Sequence, residues 1–217
     1  MTIRNLEHML APSSVVLIGA SARPGSVGNW LAKNLAATFQ GRLELINPKG
    51  GIIEGRRVLR SLDLLTEAPS LAVITTPAAT VPGIVEKLGR LGTRAAVVIS
   101  AGIKGEVRQA MLDAARPHCL RILGPNCIGL MLPDRHLNAS FSHIAPPAGD
   151  LAFLSQSGAL ITGILDWAAS RSIGFSHVVS LGDMADVDFG DMLDYLAGNT
   201  ESRAILVYME ALTDARK

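Results

Sequence analysis

Two stretches of the chain decide the fold: I-L-G-P-N-C-I-G at Ile122–Gly129 and L-A-F-L-S-Q-S-G-A-L at Leu151–Leu160. Each is an apolar strand that runs into small, turn-forming residues, and α/β proteins bind their ligands at strand ends of this kind. The first stretch closes one nucleotide-binding unit. The second opens another strand-to-helix turn, which can hold a phosphate. Two such turns in succession predict a binding unit with a transfer site beside it.

The composition predicts a globular protein and excludes several classes of partner. The chain has 217 residues, of which 48% are hydrophobic and 18% charged, enough for one large or two small domains. The net charge is +1 with scattered cations, so we expect neither nucleic acid nor a membrane as partner. The only cysteines, Cys119 and Cys127, make no disulfide framework, which favours a cytoplasmic location.

Short apolar runs alternate with helical patterns along the first part of the chain. Such alternation is typical of right-handed crossovers and a mostly parallel sheet covered on both faces. We expect a helix at Val27–Phe39 and strands at Ser14–Ile18, Leu43–Ile46, Leu71–Thr75, Ala95–Ser100 and Leu120–Leu123.

The pattern breaks at Met131–Asp150, which contains three of the 11 prolines, and then restarts. After the break we expect strands at Leu151–Ser155, His177–Leu181 and Ala204–Met209, with helices at Ala159–Ser170 and Phe189–Ala197. This predicts a Rossmann-like domain at 1–130, a connecting segment at 131–149, and the start of a second α/β domain at 150–217. Three strands and two helices make that domain incomplete, so we expect the sequence to be part of a longer protein.

The loop Gly19–Gly28, G-A-S-A-R-P-G-S-V-G, follows the first strand and precedes the first helix. Glycines there let the backbone approach a pyrophosphate, and the helix N-terminus supplies N–H donors. The loop is longer than G-x-G-x-x-G, and a tight turn without a ligand is the alternative. We expect Gly28 to face the phosphates, so that Gly28→Glu blocks the ligand and leaves the fold intact.

The second strand ends in Asn47-Pro48-Lys49, where a dinucleotide-binding unit usually has an acidic residue for a free ribose. A lysine instead suits a ribose phosphate. The 3′-phosphate of coenzyme A and the 2′-phosphate of NADP both fit that charge. A solvated lysine in a turn is the third interpretation.

The ordered set G-A-S-x-x-x-G-S-V-G, N-P-K, T-T-P-A, S-A-G and G-P-N-C-I-G resembles the CoA-binding domain of NDP-forming acyl-CoA synthetases, the superfamily of the succinyl-CoA synthetase α subunit. The following S-Q-S-G-A-L, G-D-M-A-D-V-D and Y-M-E resemble its flavodoxin-like domain. The resemblance implies a small-molecule CoA thioester, either coenzyme A or acetyl-CoA, as ligand. It implies cofactor-binding positions at Gly19, Ser21, Gly25, Ser26, Val27, Gly28, Pro48, Lys49, Thr76, Pro77, Ser100 and Asn126.

Within this superfamily, L-N-A-S-F-S, I-L-D-W-A, G-F-S, D-Y-L-A and L-T-D-A-R-K look like the Pat-type bacterial protein lysine acetyltransferases. That resemblance implies an acyl-CoA-binding region without ligase activity, a downstream GNAT domain and a protein substrate. The alternative is the α-type part of an ADP-forming acetate or acyl-CoA ligase that works through a phosphohistidine, with ATP or ADP bound by an ATP-grasp domain outside this chain. An NADP-binding Rossmann protein is less favoured. We expect a homo-oligomer, and no activity from this sequence alone.

The resemblance also suggests positions for chemistry. Glu210 matches the glutamate that orients the family's histidine, and Asn126 lies where the CoA thiol arrives. Ser157 and Gly158 offer backbone N–H groups to a phosphoryl group, unless the serine only caps the helix. None of the five histidines, His143 included, has the setting of the nucleophile, and Cys127 is interpreted as a buried small hydrophobe. We explain the acidic cluster by helix capping and expect no metal site; its members are Asp183, Asp186, Asp188 and Asp191.

Overall fold

The computed structural model describes residues 3–212 and consists of two β-sheets with helices packed on them. The strands of the first sheet are β1 (Ser14–Ile18), β2 (Arg42–Ile46), β3 (Ile52–Ile53), β4 (Arg56–Leu59), β5 (Leu71–Ile74), β6 (Ala95–Val98) and β7 (Arg121–Leu123). The helices of this unit are α1 (Glu7–Leu10), α2 (Val27–Thr38), α3 (Val81–Leu91) and α4 (Gly105–Ala115). The strand order is β3-β4-β2-β1-β5-β6-β7.

Strand β1 lies at the centre of the first sheet because its five residues, SVVLI, are apolar or small and all buried. It pairs in parallel with β2 on one side and β5 on the other, so that Ile18 lies level with both Ile46 and Ile74. The connection that follows β1 therefore leads to one side of it, and the chain later returns to the other side at β5. A crevice opens at such a switch point, beyond the carboxyl ends of the strands, and α/β proteins bind ligands there.

The second unit is a mixed sheet. Its strands are β8 (Gly129–Leu132), β9 (Leu137–Ser140), β10 (Ala148–Ser155), β11 (Phe175–Ser180) and β12 (Ala204–Tyr208), and its helices are α5 (Gly158–Ala169) and α6 (Phe189–Ala197). Strand β10 pairs in parallel with both β11 and β12. The carboxyl end of β10 is thus a second switch point. The prediction of a Rossmann-like unit followed by a flavodoxin-like parallel unit is confirmed.

The segment 131–149 differs from the connection that we expected. It contributes the second half of β8 and all of β9, which pair with each other and, through β8, with β11, in every case antiparallel. All residues of β8 and β9 are buried, and the turn between them, Pro133–Arg135, is a 3₁₀ turn. Strands buried on both faces show no alternation, which is why the sequence pattern did not reveal them.

The second unit covers the β7 edge of the first sheet. The N–H groups of Ala185 and Val187 donate to the carbonyls of Gly124 and Ile122, at 2.8 and 3.0 Å. Arg121 pairs with Asp186 at 3.0 Å and with the fully buried Asp191 at 2.9 Å. Asp191 also forms a capping box with Asp188 at the start of α6, so capping and ion pairing account for much of the acidic cluster.

Helix α2 is held between the two sheets. Its Leu31 and Leu35 belong to an apolar cluster that also contains Ala139 of β9 and Leu154 of β10. The side-chain amide of Asn34 donates to the carbonyls of Ser140 and Ser142, at 2.8 and 2.9 Å. No helix within residues 3–212 combines the length and the apolar composition needed to cross a bilayer.

The start of α2 approaches the end of β1 so closely that only glycine fits. A Cβ atom added to Gly28 would collide with the carbonyl oxygen of Gly19, and Gly19 itself has φ +97°. A side chain at position 28 would therefore point into the backbone of the loop. The expectation that Gly28→Glu leaves the fold intact is wrong, because the side chain would displace the helix from the strand.

We predict that Gly28→Ala lowers the free energy of unfolding by about 1–3 kcal/mol, because the added methyl group overpacks the contact with Gly19. Gly163 on α5 is the matched control: it is exposed and an added Cβ meets nothing within 4 Å. Gly163→Ala should raise stability by up to about 1 kcal/mol. Urea denaturation of both variants measures this, and equal effects would contradict the close approach.

A buried histidine predicts a pH dependence of stability. His177 of β11 is 1% exposed, its Nδ1 lies 3.4 Å from the Ser202 hydroxyl, and its Nε2 has no partner in the described part of the chain. Burial lowers the pKa of His177 below its ordinary 6.5. Below pH 6.5 the imidazole is therefore protonated more readily in the unfolded chain than in the folded chain. The contribution of neutral His177 to the free energy of unfolding is complete above pH 6.5 and declines as the pH falls below that value.

We expect His177→Gln to flatten the fall in unfolding free energy between neutral pH and pH 5, measured by denaturant titration at each pH. His143→Gln is the control, since His143 is exposed. An unchanged slope for His177→Gln would show that the ring is not the group responsible.

Candidate functional site

The loop between β1 and α2 lies at the first switch point and leads into a helix start without a side-chain cap. The Ser26 hydroxyl donates to the Arg23 carbonyl at 2.8 Å and does not cap the helix. No acidic residue lies in the first turn of α2. The N–H groups of Val27 and Gly28 have no intrahelical acceptor, because they open the helix. This arrangement suits an anion, since donors and helix dipole act in the same direction.

The turn after β2 is tied to that loop. The Asn47 side-chain amide donates to the Ala20 carbonyl at 2.7 Å, and its oxygen accepts from the Lys49 N–H at 2.9 Å. Asn47 thus fixes the position of Lys49 relative to the loop. The sequence analysis selected Lys49 for its charge but did not reveal this role of Asn47.

A cleft of about 910 Å³ lies over the carboxyl ends of β1, β2 and β5. Four cations line it, and no carboxylate does so among the described residues; the cations are Arg23, Lys49, Arg60 and Lys87. The cleft therefore favours a polyanionic ligand. The predicted residues that line it are Gly19, Ser21, Ser26, Val27, Gly28, Pro48, Lys49, Thr76 and Pro77.

A second cleft of about 610 Å³ lies between the two units and shares Val27, Thr75, Thr76 and Pro77 with the first. Other predicted residues line it from both units: Ser100, Asn126, Ser157, Gly158 and Glu210. A ligand longer than one cleft can therefore extend from the first into the second. Gly25, with φ +75°, is not among the described residues that line either cleft; it shapes the turn of the loop.

The turn into α5 differs in part from what the sequence suggested. The Ser157 hydroxyl accepts from the Leu160 N–H at 3.4 Å, so the serine does cap the helix. The Ser157 N–H donates to the Ser155 hydroxyl at 3.1 Å and is already engaged. Gly158 opens α5, and its N–H has no intrahelical acceptor. Of the two predicted donors, Gly158 is the one whose N–H group remains available.

Gln156 holds the chain beyond β12. Its side-chain oxygen accepts from the backbone N–H groups of Glu210 and Ala211, at 2.6 and 2.8 Å. The backbone N–H of Gln156 donates to the Tyr208 carbonyl at 3.1 Å. The predicted Glu210 is therefore anchored through its backbone, while the residue as a whole lines the second cleft. Sequence analysis missed Gln156 because its partners lie more than fifty residues away.

Asn126 and Cys127 follow the last strand of the first sheet and line the second cleft. Asn126 has φ +58°, and its side-chain amide donates to the Asp183 carboxylate at 3.1 Å. The Cys127 side chain is buried, and burial raises the pKa of its thiol to about 12. A thiol that stays protonated at neutral pH is a poor nucleophile, which agrees with its interpretation as a small hydrophobe.

The described residues that line the two clefts include no histidine. His143, the most tempting candidate in the sequence, is exposed and lies outside both linings. Among residues 3–212, no group of three or more His, Cys, Asp or Glu side chains is arranged to hold a metal ion. The cation-lined first cleft suits an anionic ligand, and the described lining of the second cleft contains Glu210 but no histidine.

Comparisons with known proteins agree with the division of the chain into two units. The CoA binding domain family matches residues 13–133, and the succinyl-CoA ligase like flavodoxin domain matches residues 148–217. An ADP-forming acetate–CoA ligase I of Archaeoglobus fulgidus is 41% identical over 98% of this chain and 32% of its own length. The α subunit of the ADP-forming acetate–CoA ligase I of Pyrococcus furiosus is 39% identical, over 98% of this chain and 48% of its own length.

A solved structure shows the same fold over almost the whole chain. The dinucleotide-forming acetyl-coenzyme A synthetase 1 of Ca. Korarchaeum cryptofilum, in its apo form, superposes with a TM-score of 0.92 at 31% identity, covering 97% of this chain and 47% of that one. The chain thus spans about a third to a half of the length of these relatives. It belongs to the CoA-binding domain family, within the superfamily of NDP-forming acyl-CoA synthetases and succinyl-CoA synthetase α subunits.

Proposed function

We propose that this chain is the CoA-binding, α-type part of an ADP-forming acyl-CoA ligase. The observation that carries the proposal is the continuity of the two clefts across Val27 and Thr75–Pro77, at the switch points of both sheets. One cleft is lined by four cations, and the other is lined by Glu210 and by the first residue of α5, Gly158. Coenzyme A has the matching form, since it joins a charged nucleotide to a long neutral arm that ends in a thiol.

The first cleft fits the nucleotide part of coenzyme A. The N–H groups of Val27 and Gly28 would bind the pyrophosphate, and Lys49 the 3′-phosphate of the ribose. Asn47 supports this assignment because it holds the Lys49 turn against the loop. The pantetheine arm would pass Thr76 and Pro77 towards Ser100 and Asn126.

The second cleft fits the acyl-transfer end. The start of α5, with the N–H of Gly158, would stabilise a phosphoryl group, and Glu210 would orient a histidine. That histidine has to come from a segment outside the described residues. The proposal also requires an ATP-grasp partner domain or subunit that binds ATP or ADP. The relative from P. furiosus is an α subunit, which supports the existence of such a partner.

A Pat-type acetyltransferase, which the sequence motifs favoured, is the second candidate. The segments that resemble it include Leu137–Ser142 in and after β9 and Ile164–Ala168 in α5, whereas the final L-T-D-A-R-K lies largely outside the described residues. The relatives from A. fulgidus and P. furiosus are ADP-forming ligases and support the ligase instead. Both candidates share CoA binding, so they differ in the reaction rather than in the first cleft.

We expect isothermal titration calorimetry to show that the chain binds coenzyme A at least about ten-fold more tightly than NADP, because only the arm of coenzyme A fills the second cleft as well. NAD is the control for a dinucleotide without the extra phosphate. Tighter binding of NADP than of coenzyme A would overturn the proposal in favour of a dinucleotide-binding protein.

The reaction is tested on the full-length protein, with an ATP-grasp subunit added where one is encoded separately. We expect ATP to form from acetyl-CoA, ADP and phosphate, and Glu210→Gln to slow this by about 10²–10⁴-fold through loss of the base that orients the histidine. Lysine acetylation of an added protein without any ATP formation would instead establish the acetyltransferase.

A further inference from the structure

The first cleft contains a cation that no sequence pattern singled out. Arg60 directly follows β4, which pairs with β2 so that Leu59 lies level with Ile46. The Asn47 N–H donates to the Leu59 carbonyl at 2.9 Å. Arg60 therefore starts from the strand end next to the Lys49 turn, on the side of the sheet edge where α/β proteins bind the ribose.

The Arg60 side chain lies across the turn that carries Lys49. A Cβ added to Gly50, the residue after Lys49, would come within 2.9 Å of Arg60 Nε and 3.1 Å of its Cγ. This contact places the aliphatic part of Arg60 on the backbone of the turn. Lys49 and Arg60 both line the 910 Å³ cleft.

The surrounding charges leave this pair without a protein counter-ion. Lys87, on the same cleft, is paired with Asp63 at 3.2 Å. Among residues 3–212, no salt bridge is found for Lys49 or Arg60, and the cleft lining contains no carboxylate. Two neighbouring cations repel each other unless an anion lies between them, so their arrangement points to a doubly charged ligand group.

We propose that Arg60 and Lys49 together bind the phosphate monoester on the ribose, which is the 3′-phosphate of coenzyme A, and that Arg60 determines the preference for coenzyme A over dephospho-CoA. The guanidinium group presents two parallel donors to phosphate oxygens, whereas the lysine ammonium acts as a compact charge. This inference rests on the proposed binding of coenzyme A and extends it to a residue and a chemical group.

The test is calorimetric titration of coenzyme A and dephospho-CoA, at one fixed ionic strength, into the wild-type chain, Arg60→Met and Arg60→Lys. We expect Arg60→Met to weaken binding of coenzyme A by about 10–100-fold and to change dephospho-CoA by less than about two-fold. Arg60→Lys should recover part of the loss. Arg57→Met is the matched control, because Arg57 is an exposed arginine of β4 that lies outside the cleft lining. The Arg57→Met variant should bind both ligands as the wild type does.

Equal losses for coenzyme A and dephospho-CoA in Arg60→Met, or no loss for either, would overturn the role of Arg60 while leaving CoA binding in place. A wild-type chain that binds neither ligand would overturn the proposed function and this inference with it.

A Lys49→Met and Arg60→Met double variant adds a thermodynamic cycle. Losses that are less than additive support a shared phosphate, and strict additivity in the cycle contradicts it.

Discussion

The closed edge of the first sheet is the constraint on which the site depends. Backbone hydrogen bonds from Ala185 and Val187 cover β7, and the ion pairs of Arg121 with Asp186 and Asp191 secure the contact. Removing one partner of a buried pair is costly because the other charge stays buried and uncompensated. With α2 packed between the sheets as well, the carboxyl ends of β1 and β10 face a common space. The second cleft exists only because both units supply its walls.

Within this frame, the two helix starts are arranged for ligands in different ways. At α2, glycine packing brings the helix so close to β1 that its first N–H groups border the cleft, and the Ser26 side chain does not cap them. At α5, the Ser157 hydroxyl accepts from the Leu160 N–H, which leaves the N–H groups of Gly158 and Ala159 without an intrahelical acceptor. We propose that the uncapped start of α2 binds a pyrophosphate and that the capped start of α5 binds a phosphoryl group.

The sequence predicted most of the first unit because its signals are local. Apolar runs gave the parallel strands, and the residues after them gave the phosphate loop and Lys49. What the sequence did not reveal depends on contacts between distant segments. Strands β8 and β9 are short and buried on both faces. The side chain of Gln156 accepts a hydrogen bond from Glu210, which is distant in the sequence. Arg60 lies beside the Lys49 turn only because β4 pairs with β2. The sequence also did not reveal that Gly28 packs against Gly19, since a loop sequence does not say which neighbours an added side chain would meet.

The central claim is that one molecule of coenzyme A extends through both clefts. A crystal structure of the chain with coenzyme A tests it most directly. The account predicts density for the nucleotide beside Lys49 and the start of α2, and for the pantetheine arm past Thr76 towards Asn126. Density for the nucleotide in the other large cleft, between Arg4, Arg116 and Cys119 at the opposite end of β7, or an arm that leaves the first cleft away from Asn126, would contradict it.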